Sequence, residues 1–175
     1  LAYLAPKQHI DFEKIGLGIG TEERFGFSGS VKYHCLTLED GDACISAVKA
    51  NANMRNILWL GASQLHGINN PQPGDQTAVE MLHNEMLRSN TFLTSFSPPN
   101  ANFLEHYVLF EYLRHASNVD VLVLGAVFDD MRERGIRESI LEGIATPNTA
   151  QALQETLAGR SILERYAGVQ QSQSA

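Results

Sequence analysis

Three short apolar runs alternate along the chain with longer segments whose apolar residues recur at helical spacing. The runs are Ile57 to Gly61, Thr91 to Phe96 and Val119 to Phe128. The second is rich in β-branched and aromatic residues, which favours a strand. The third is unbroken, which predicts a strand buried on both faces, as in a parallel sheet. We therefore expect three strands.

Helical patterns follow each of these strands. Asp75 can cap the first helix. The helices are expected from Asp75 to about Asn90, from Ala101 to His115, from Met131 to Ile144 and from Asn148 to Gly159, after a short one within Ala43 to Asn53. Helical spacing places a set of apolar side chains on the inward faces: Val79, Leu82, Met86, Phe103, Tyr107, Phe110, Leu113, Ile136, Ile140 and Ile144.

The order β-α-β-α-β-α predicts an α/β protein. Right-handed crossovers give a three-layer αβα, flavodoxin-like parallel sheet with helices on both faces. We expect residues 55–168 to form this domain. Residues 1–54 would wrap it as mostly irregular structure, and residues 169–175 would form a mobile tail.

Polar residues follow all three predicted strands, and parallel strands bring such loops to one edge of the sheet. The candidates are Ser63, Gln64 and His66 after the first strand, Asn100 and Asn102 after the second, and Asp129, Asp130 and Arg132 after the third. Ligand binding and chemistry occur at this edge in open α/β sheets.

Ser63 can act as a nucleophile if a base takes its proton. The backbone N–H groups of Ser63 and Gln64, with an amide from Asn100 or Asn102, can then stabilise an oxyanion. The alternatives are an ordinary small-residue turn at Ser63 and loop capping by the asparagines. His66 is the nearest candidate base, although it lies in the same loop as Ser63.

Asp129 and Asp130 form a carboxylate pair at a predicted strand end. They can hold Mg²⁺, or they can form ion pairs with Arg132 and the arginines that follow. Arg132 can also bind an anionic group of a substrate. No metal is assigned on this basis.

Composition narrows the possible partners. The chain has 175 residues and a net charge of −7, which argues against nucleic acid because phosphate binding requires clustered Lys and Arg. No apolar run is long enough to span a membrane, and no signal peptide is visible. The start at Leu1, without a methionine, is compatible with the soluble part of a longer protein whose leader or anchor has been removed.

Cys35 and Cys44 are the only two cysteines. They flank the turn-forming segment Glu39 to Asp42, which can bring the sulfurs together. A disulfide there would indicate an oxidising compartment. The alternative is two reduced cysteines in a cytosolic protein.

The segment Leu58-Trp-Leu-Gly-Ala-Ser63, followed by an α/β succession, resembles the SGNH/GDSL hydrolase superfamily. The family's nucleophilic serine follows the first strand in a Gly-Asp-Ser or Gly-x-Ser block, and Ala62 replaces the aspartate here. The family's Gly-x-Asn-Asp block is matched only loosely by Gly125 to Asp130, which contains no asparagine. Its C-terminal Asp-x-x-His block, which supplies the base, is absent from this chain.

The resemblance implies a serine esterase or O-acyltransferase that needs no cofactor and acts on an acylated cell-envelope glycan or a small ester. It also implies a periplasmic or extracellular location, with a membrane anchor in the full-length protein. Two alternatives stay open. One is a non-catalytic binding or assembly domain of the same architecture, and the other is a flavodoxin-like nucleotide or flavin binder.

Overall fold

A computed structural model describes residues 20–38, 40–127 and 135–172 of the chain. The strands are β1 (Thr21–Glu23), β2 (Phe27–Ser28), β3 (Val31–Lys32), β4 (His34–Cys35), β5 (Arg55–Leu60), β6 (Gly67–Asn69), β7 (Thr91–Phe96) and β8 (Val121–Leu124). The helices are α1 (Gly41–Ala50), α2 (Ala78–Leu87), α3 (Phe103–Ala116), α4 (Glu138–Ala145), α5 (Pro147–Gln154) and α6 (Leu157–Ser172), with a 3₁₀ turn at Ser63–Leu65.

Within the described residues, four parallel strands form the central sheet, in the order β4-β7-β5-β8. Alternation along β5 turns Leu58 and Leu60 towards the cluster that contains α3 to α6. It turns Ile57 and Trp59 towards the cluster that contains α2. Helices therefore cover both faces of the sheet, which confirms the predicted three-layer α/β fold.

The edge strand β8 corrects one expectation. Its apolar run predicted burial on both faces, but Leu122, Val123 and Leu124 are 39 to 43% exposed. Among the described residues, β8 pairs only with β5. The sequence of β8 is as apolar as that of a central strand, but β8 lies at the edge of the sheet.

Two helix starts also differ from the prediction. Thr77, rather than Asp75, is the N-cap of α2, because its hydroxyl accepts the backbone N–H of Glu80. The Asp75 carboxylate instead accepts the N–H of Gln72 in the preceding turn. In the third helical segment α4 begins only at Glu138. The first part of that segment, residues 131–134, lies outside the described residues.

The last predicted helix, from Asn148 to Gly159, ends earlier in the structure, at Gln154. α5 begins with Pro147 at its first turn, a position that suits proline because the helix needs no N–H there. A break at residues 155–156 separates it from α6, and Gly159, the predicted helix end, lies within α6. α6 continues to Ser172, into the stretch predicted as a tail.

The inward-facing sets are only partly as predicted. Val79, Leu113, Ile136, Ile140 and Ile144 are buried, whereas Leu82 and Phe103 are exposed. The buried positions on α2 and α3 include His83, Glu105 and His106, polar residues that a hydrophobic pattern does not identify.

The N-terminal region contains more regular structure than the sequence predicted. The strand β1 pairs with β6, β2 pairs with β3, and β4 joins the central sheet beside β7. The predicted disulfide between Cys35 and Cys44 is present and links β4 to α1. Asp40 forms the turn between them by accepting the backbone N–H groups of Leu36 and Thr37.

Candidate active site

Ser63 lies just beyond the carboxyl end of β5. The carboxyl ends of β5, β7 and β8 lie side by side there. The N–H of Gly61 donates to the Phe96 carbonyl, and the N–H of Gly125 donates to the Leu60 carbonyl. Ala62 is extended, and Ser63 then begins the 3₁₀ turn. This local path leaves Ser63 half-buried, while the neighbouring Gln64 is exposed.

This position coincides with the switch point of the sheet. The order β7-β5-β8 corresponds to the order 2-1-3 of a doubly wound sheet, in which ligands bind in the crevice between the first and third strands. In this chain the switch point lies at the carboxyl ends of β5 and β8, which pair in parallel. Ser63 and Gln64 follow β5 there.

The start of the 3₁₀ turn also provides backbone donors. No described group accepts the N–H of Ser63 or Gln64, and the Ser63 hydroxyl makes no hydrogen bond within the described part of the chain. The first N–H groups of a helical turn lack partners within the turn. Two backbone donors and a hydroxyl therefore lie together at the switch point.

His66 follows the same turn, but its imidazole does not bond to Ser63. Its Nδ1 lies 2.8 Å from the Oγ of Ser97, the residue that directly follows β7. The backbone N–H of His66 donates to the Ser63 carbonyl at 3.2 Å, so only the main chain joins these two residues. The structure thus brings the predicted base to a different serine.

Ser97 binds a second histidine as well. The Nε2 of His34, on β4, lies 2.7 Å from the same Ser97 Oγ. All three side chains are fully buried. Burial, with a smaller contribution from His66, lowers the pKa of His34 from 6.5 to about 3, and burial also lowers the pKa of His66. Both imidazoles are therefore neutral at neutral pH.

β1 and the segment after it cover this cluster. The Glu23 carboxylate lies 4.0 Å from Nε2 of His66 and is half exposed. The Phe25 ring lies 5.4 Å from the imidazole of His34 and 5.2 Å from that of His66. The backbone N–H of Arg24 donates to the His66 carbonyl at 2.8 Å. We call Glu23, His66, Ser97 and His34 the Ser97 cluster.

The two predicted oxyanion asparagines differ in their surroundings. Asn102 is buried and caps α3, since its Oδ1 accepts the N–H groups of Leu104 and Glu105 and its Nδ2 donates to the Gly135 carbonyl. Its amide is thus engaged in capping, the alternative considered for it. Asn100 is exposed, with a left-handed backbone (φ 52°), in the loop that follows β7.

An ion pair fixes that loop. The guanidinium of Arg137 binds the buried Glu105 carboxylate and donates to the carbonyls of Pro99 and Asn100. The Glu105 carboxylate also accepts the N–H of Asn102, which completes a capping box. Arg137 was predicted only as a candidate partner of Asp129 and Asp130, and no role was predicted for Glu105.

The third predicted group, Asp129, Asp130 and Arg132, lies outside the described residues. In the part of the chain that is described, no group of three or more His, Cys, Asp or Glu side chains is arranged to hold a metal ion. None of the helices there has the length and apolar character needed to cross a bilayer.

Comparison with known proteins does not assign the chain to a family. No protein-family model, curated protein or solved structure matches the chain. The resemblance to SGNH hydrolases therefore depends on the short block ending at Ser63 and on the α/β order.

His34, Ser97 and Glu23 were not among the predicted site residues. Ser97 carried a usable signal, because it directly follows a predicted strand at the edge where chemistry is expected. His34 and Glu23 carried none, since each lies in a segment that was predicted to be irregular.

Proposed function

We propose that this chain provides the nucleophile of an SGNH-type serine esterase or O-acyltransferase, with Ser63 as that nucleophile. One observation carries the proposal: the Ser63 hydroxyl lies at the switch point of the sheet, beside two backbone N–H groups that have no described acceptor. A nucleophile and oxyanion donors are two of the three parts that acyl transfer by a serine needs, and the third is a base.

In the proposed reaction the Ser63 Oγ attacks the carbonyl carbon of an ester, and its proton passes to a base. The N–H groups of Ser63 and Gln64 donate to the oxyanion that forms. The tetrahedral intermediate expels the alcohol, which takes up the proton from the base, and leaves an acyl-Ser63. Water or a sugar hydroxyl then attacks this ester and releases Ser63.

The base is the part that the described residues do not supply. His66 is bonded to Ser97, and no described histidine contacts the Ser63 hydroxyl. We therefore propose that the base comes from residues outside the described part of the protein.

The substrate we propose is an acylated cell-envelope glycan or a small ester, handled in the periplasm or outside the cell. The Cys35–Cys44 disulfide supports a non-cytoplasmic location, because such bonds persist in oxidising compartments. A membrane anchor in the full-length protein would place the domain beside its substrate.

A fluorophosphonate probe tests the nucleophile. We expect it to label Ser63, as identified by peptide mapping, in the longest natural form of the protein. Ser63→Ala should abolish both labelling and hydrolysis of a nitrophenyl ester. The matched control is Ser46→Ala, which removes an exposed hydroxyl on α1. Labelling that survives Ser63→Ala would refute the assignment.

The bond between His66 and Ser97 favours one alternative function. A non-catalytic SGNH-like domain that binds glycan needs no base, so Ser63 would have no reason to be activated. The same experiment separates the two, because a binding domain would show no labelling in any form and would bind acylated glycan equally well after Ser63→Ala.

A further inference from the structure

The Ser97 cluster is a continuous line of polar groups that the proposed reaction does not use. It runs from the Glu23 carboxylate through His66 and Ser97 to His34, with separations of 4.0, 2.8 and 2.7 Å. The outer nitrogens, Nε2 of His66 and Nδ1 of His34, have no hydrogen-bond partner among the described residues. All members except Glu23 are fully buried.

The single proton of the Ser97 hydroxyl allows only two arrangements. A neutral imidazole has one N–H and one bare nitrogen. If Ser97 donates to His66, then His34 must donate to Ser97 through its Nε2. If Ser97 donates to His34, then His66 must donate to Ser97 through its Nδ1. The two arrangements therefore require opposite tautomers of both histidines.

Glu23 distinguishes the two arrangements. In the first, His66 carries its proton on Nε2, so an N–H dipole points towards the carboxylate. In the second, the bare lone pair of Nε2 faces the negative charge across 4.0 Å. The first is favoured, because the negative carboxylate attracts the positive end of an N–H dipole and repels a bare lone pair.

The cluster is also connected to the turn that carries Ser63. His66 ends that turn, and its backbone N–H donates to the Ser63 carbonyl. The His66 carbonyl accepts from Arg24, and the Ser97 N–H donates to the Cys35 carbonyl at 3.0 Å. His66 therefore connects the turn directly to the residue after β1 and, through Ser97, to β4 and β7.

We propose that the Ser97 cluster is a directional hydrogen-bond relay, His34 to Ser97 to His66, whose direction Glu23 sets and which positions the Ser63 turn. The positioning part rests on the proposed function. Ser97, His34 and His66 are positioning residues, since they act on the site through the turn and the ends of the strands.

Imidazole nitrogen NMR tests the direction without any need for catalysis. Two-bond proton–nitrogen correlation spectra show which ring nitrogen carries hydrogen. We expect His34 and His66 both to be protonated on Nε2. His83 is an internal reference of the opposite type, because its Nδ1 must donate to the Leu93 carbonyl, 2.7 Å away. Protonation of His34 and His66 on Nδ1 would overturn the relay as stated.

Two variants test the role of the carboxylate. Glu23→Ala should raise the population of the reversed tautomer of His66 several-fold. Glu22→Ala, which removes the neighbouring exposed carboxylate of β1, should leave the tautomers unchanged. Equal spectra for the two variants would show that Glu23 does not set the direction.

Ser97→Ala tests the positioning role. We expect amide hydrogen exchange at Leu65 and His66, whose N–H groups close the turn, to accelerate about tenfold or more, while exchange in α3 stays unchanged. The maximal rate of Ser63 labelling should fall roughly 10- to 100-fold with unchanged probe affinity. Ser97→Thr, which keeps the hydroxyl, should restore both. Unchanged exchange at the turn would refute positioning, whereas normal tautomers and exchange without labelling would refute only the proposed function.

Discussion

His34 gives the fold a sensitivity to mild acid. It is fully buried, between Ser97 and the ring of Phe25. Burial and the neighbouring His66 lower its pKa to about 3, Asp40 opposes this shift, and Lys32 adds to it. The native state therefore keeps His34 neutral over a pH range in which the unfolded chain protonates it.

The sign follows from proton linkage. An unfolded histidine titrates near pH 6.5, so below that value the unfolded state binds a proton that the native state does not. Stability is therefore present above pH 6.5 and is lost as the pH falls towards about 3. Integrating this difference from about pH 7 to about pH 5 gives a loss of about 2 kcal/mol from His34 alone.

Urea unfolding at about pH 7 and about pH 5 measures this loss. His34→Gln keeps an amide donor near the position of Nε2 but does not titrate. We expect the variant to be less stable than the natural protein near pH 7. Its free energy of unfolding should fall by about 2 kcal/mol less on acidification. His115→Gln, on the exposed surface of α3, is the control and should show the natural pH dependence.

Parallel pH curves for the natural protein and His34→Gln would refute the reasoning. They would mean that His34 gains its proton in the folded state at the same pH as in the unfolded chain. Burial also lowers the pKa values of His66 and His83. The variant should therefore keep part of the acid sensitivity.

Two further outcomes concern stability. Reduction of the Cys35–Cys44 bond should lower the free energy of unfolding by about 2–3 kcal/mol, the chain-entropy value for so short a loop. In a denaturant titration, reductant should not change the unfolding free energy of the variant in which both Cys35 and Cys44 are replaced by alanine. A change as large as that of the natural protein would contradict this. Arg137→Ala should cost about 3–5 kcal/mol, because it leaves the buried Glu105 carboxylate without its cation. The control Arg88→Ala, in an exposed ion pair, should cost under about 1 kcal/mol.

The central strands could be predicted because their signal is local. Each is a short run of apolar or β-favouring residues, so β7 was predicted with its observed bounds and β5 to within two residues at either end. β8 shows the limit of the same signal. Its composition suits a fully buried strand, but burial depends on which elements lie beside it, and the exposed Leu122 and Leu124 follow from its edge position.

The position of Ser63 could be predicted for the same local reason, whereas the Ser97 cluster could not. Ser63 follows the strand that delivers it within three residues. His34 and Ser97 are 63 residues apart and meet only because β4 pairs with β7 in parallel. β4 has two residues, too few for an alternating pattern, so the sequence offered no signal for that pairing.

The short strand β4 explains how these long-range contacts are held in place. Cys35 is attached to α1 by the disulfide and to Ser97 through its carbonyl, while His34 beside it reaches the Ser97 hydroxyl. A two-residue strand supplies little stability of its own, because it forms few ladder hydrogen bonds. The covalent link fixes β4 at one end, and the buried relay fixes it at the edge where Ser63 lies. Loss of either the disulfide or the relay should therefore make the Ser63 turn less well ordered, even though neither forms a bond to the Ser63 hydroxyl.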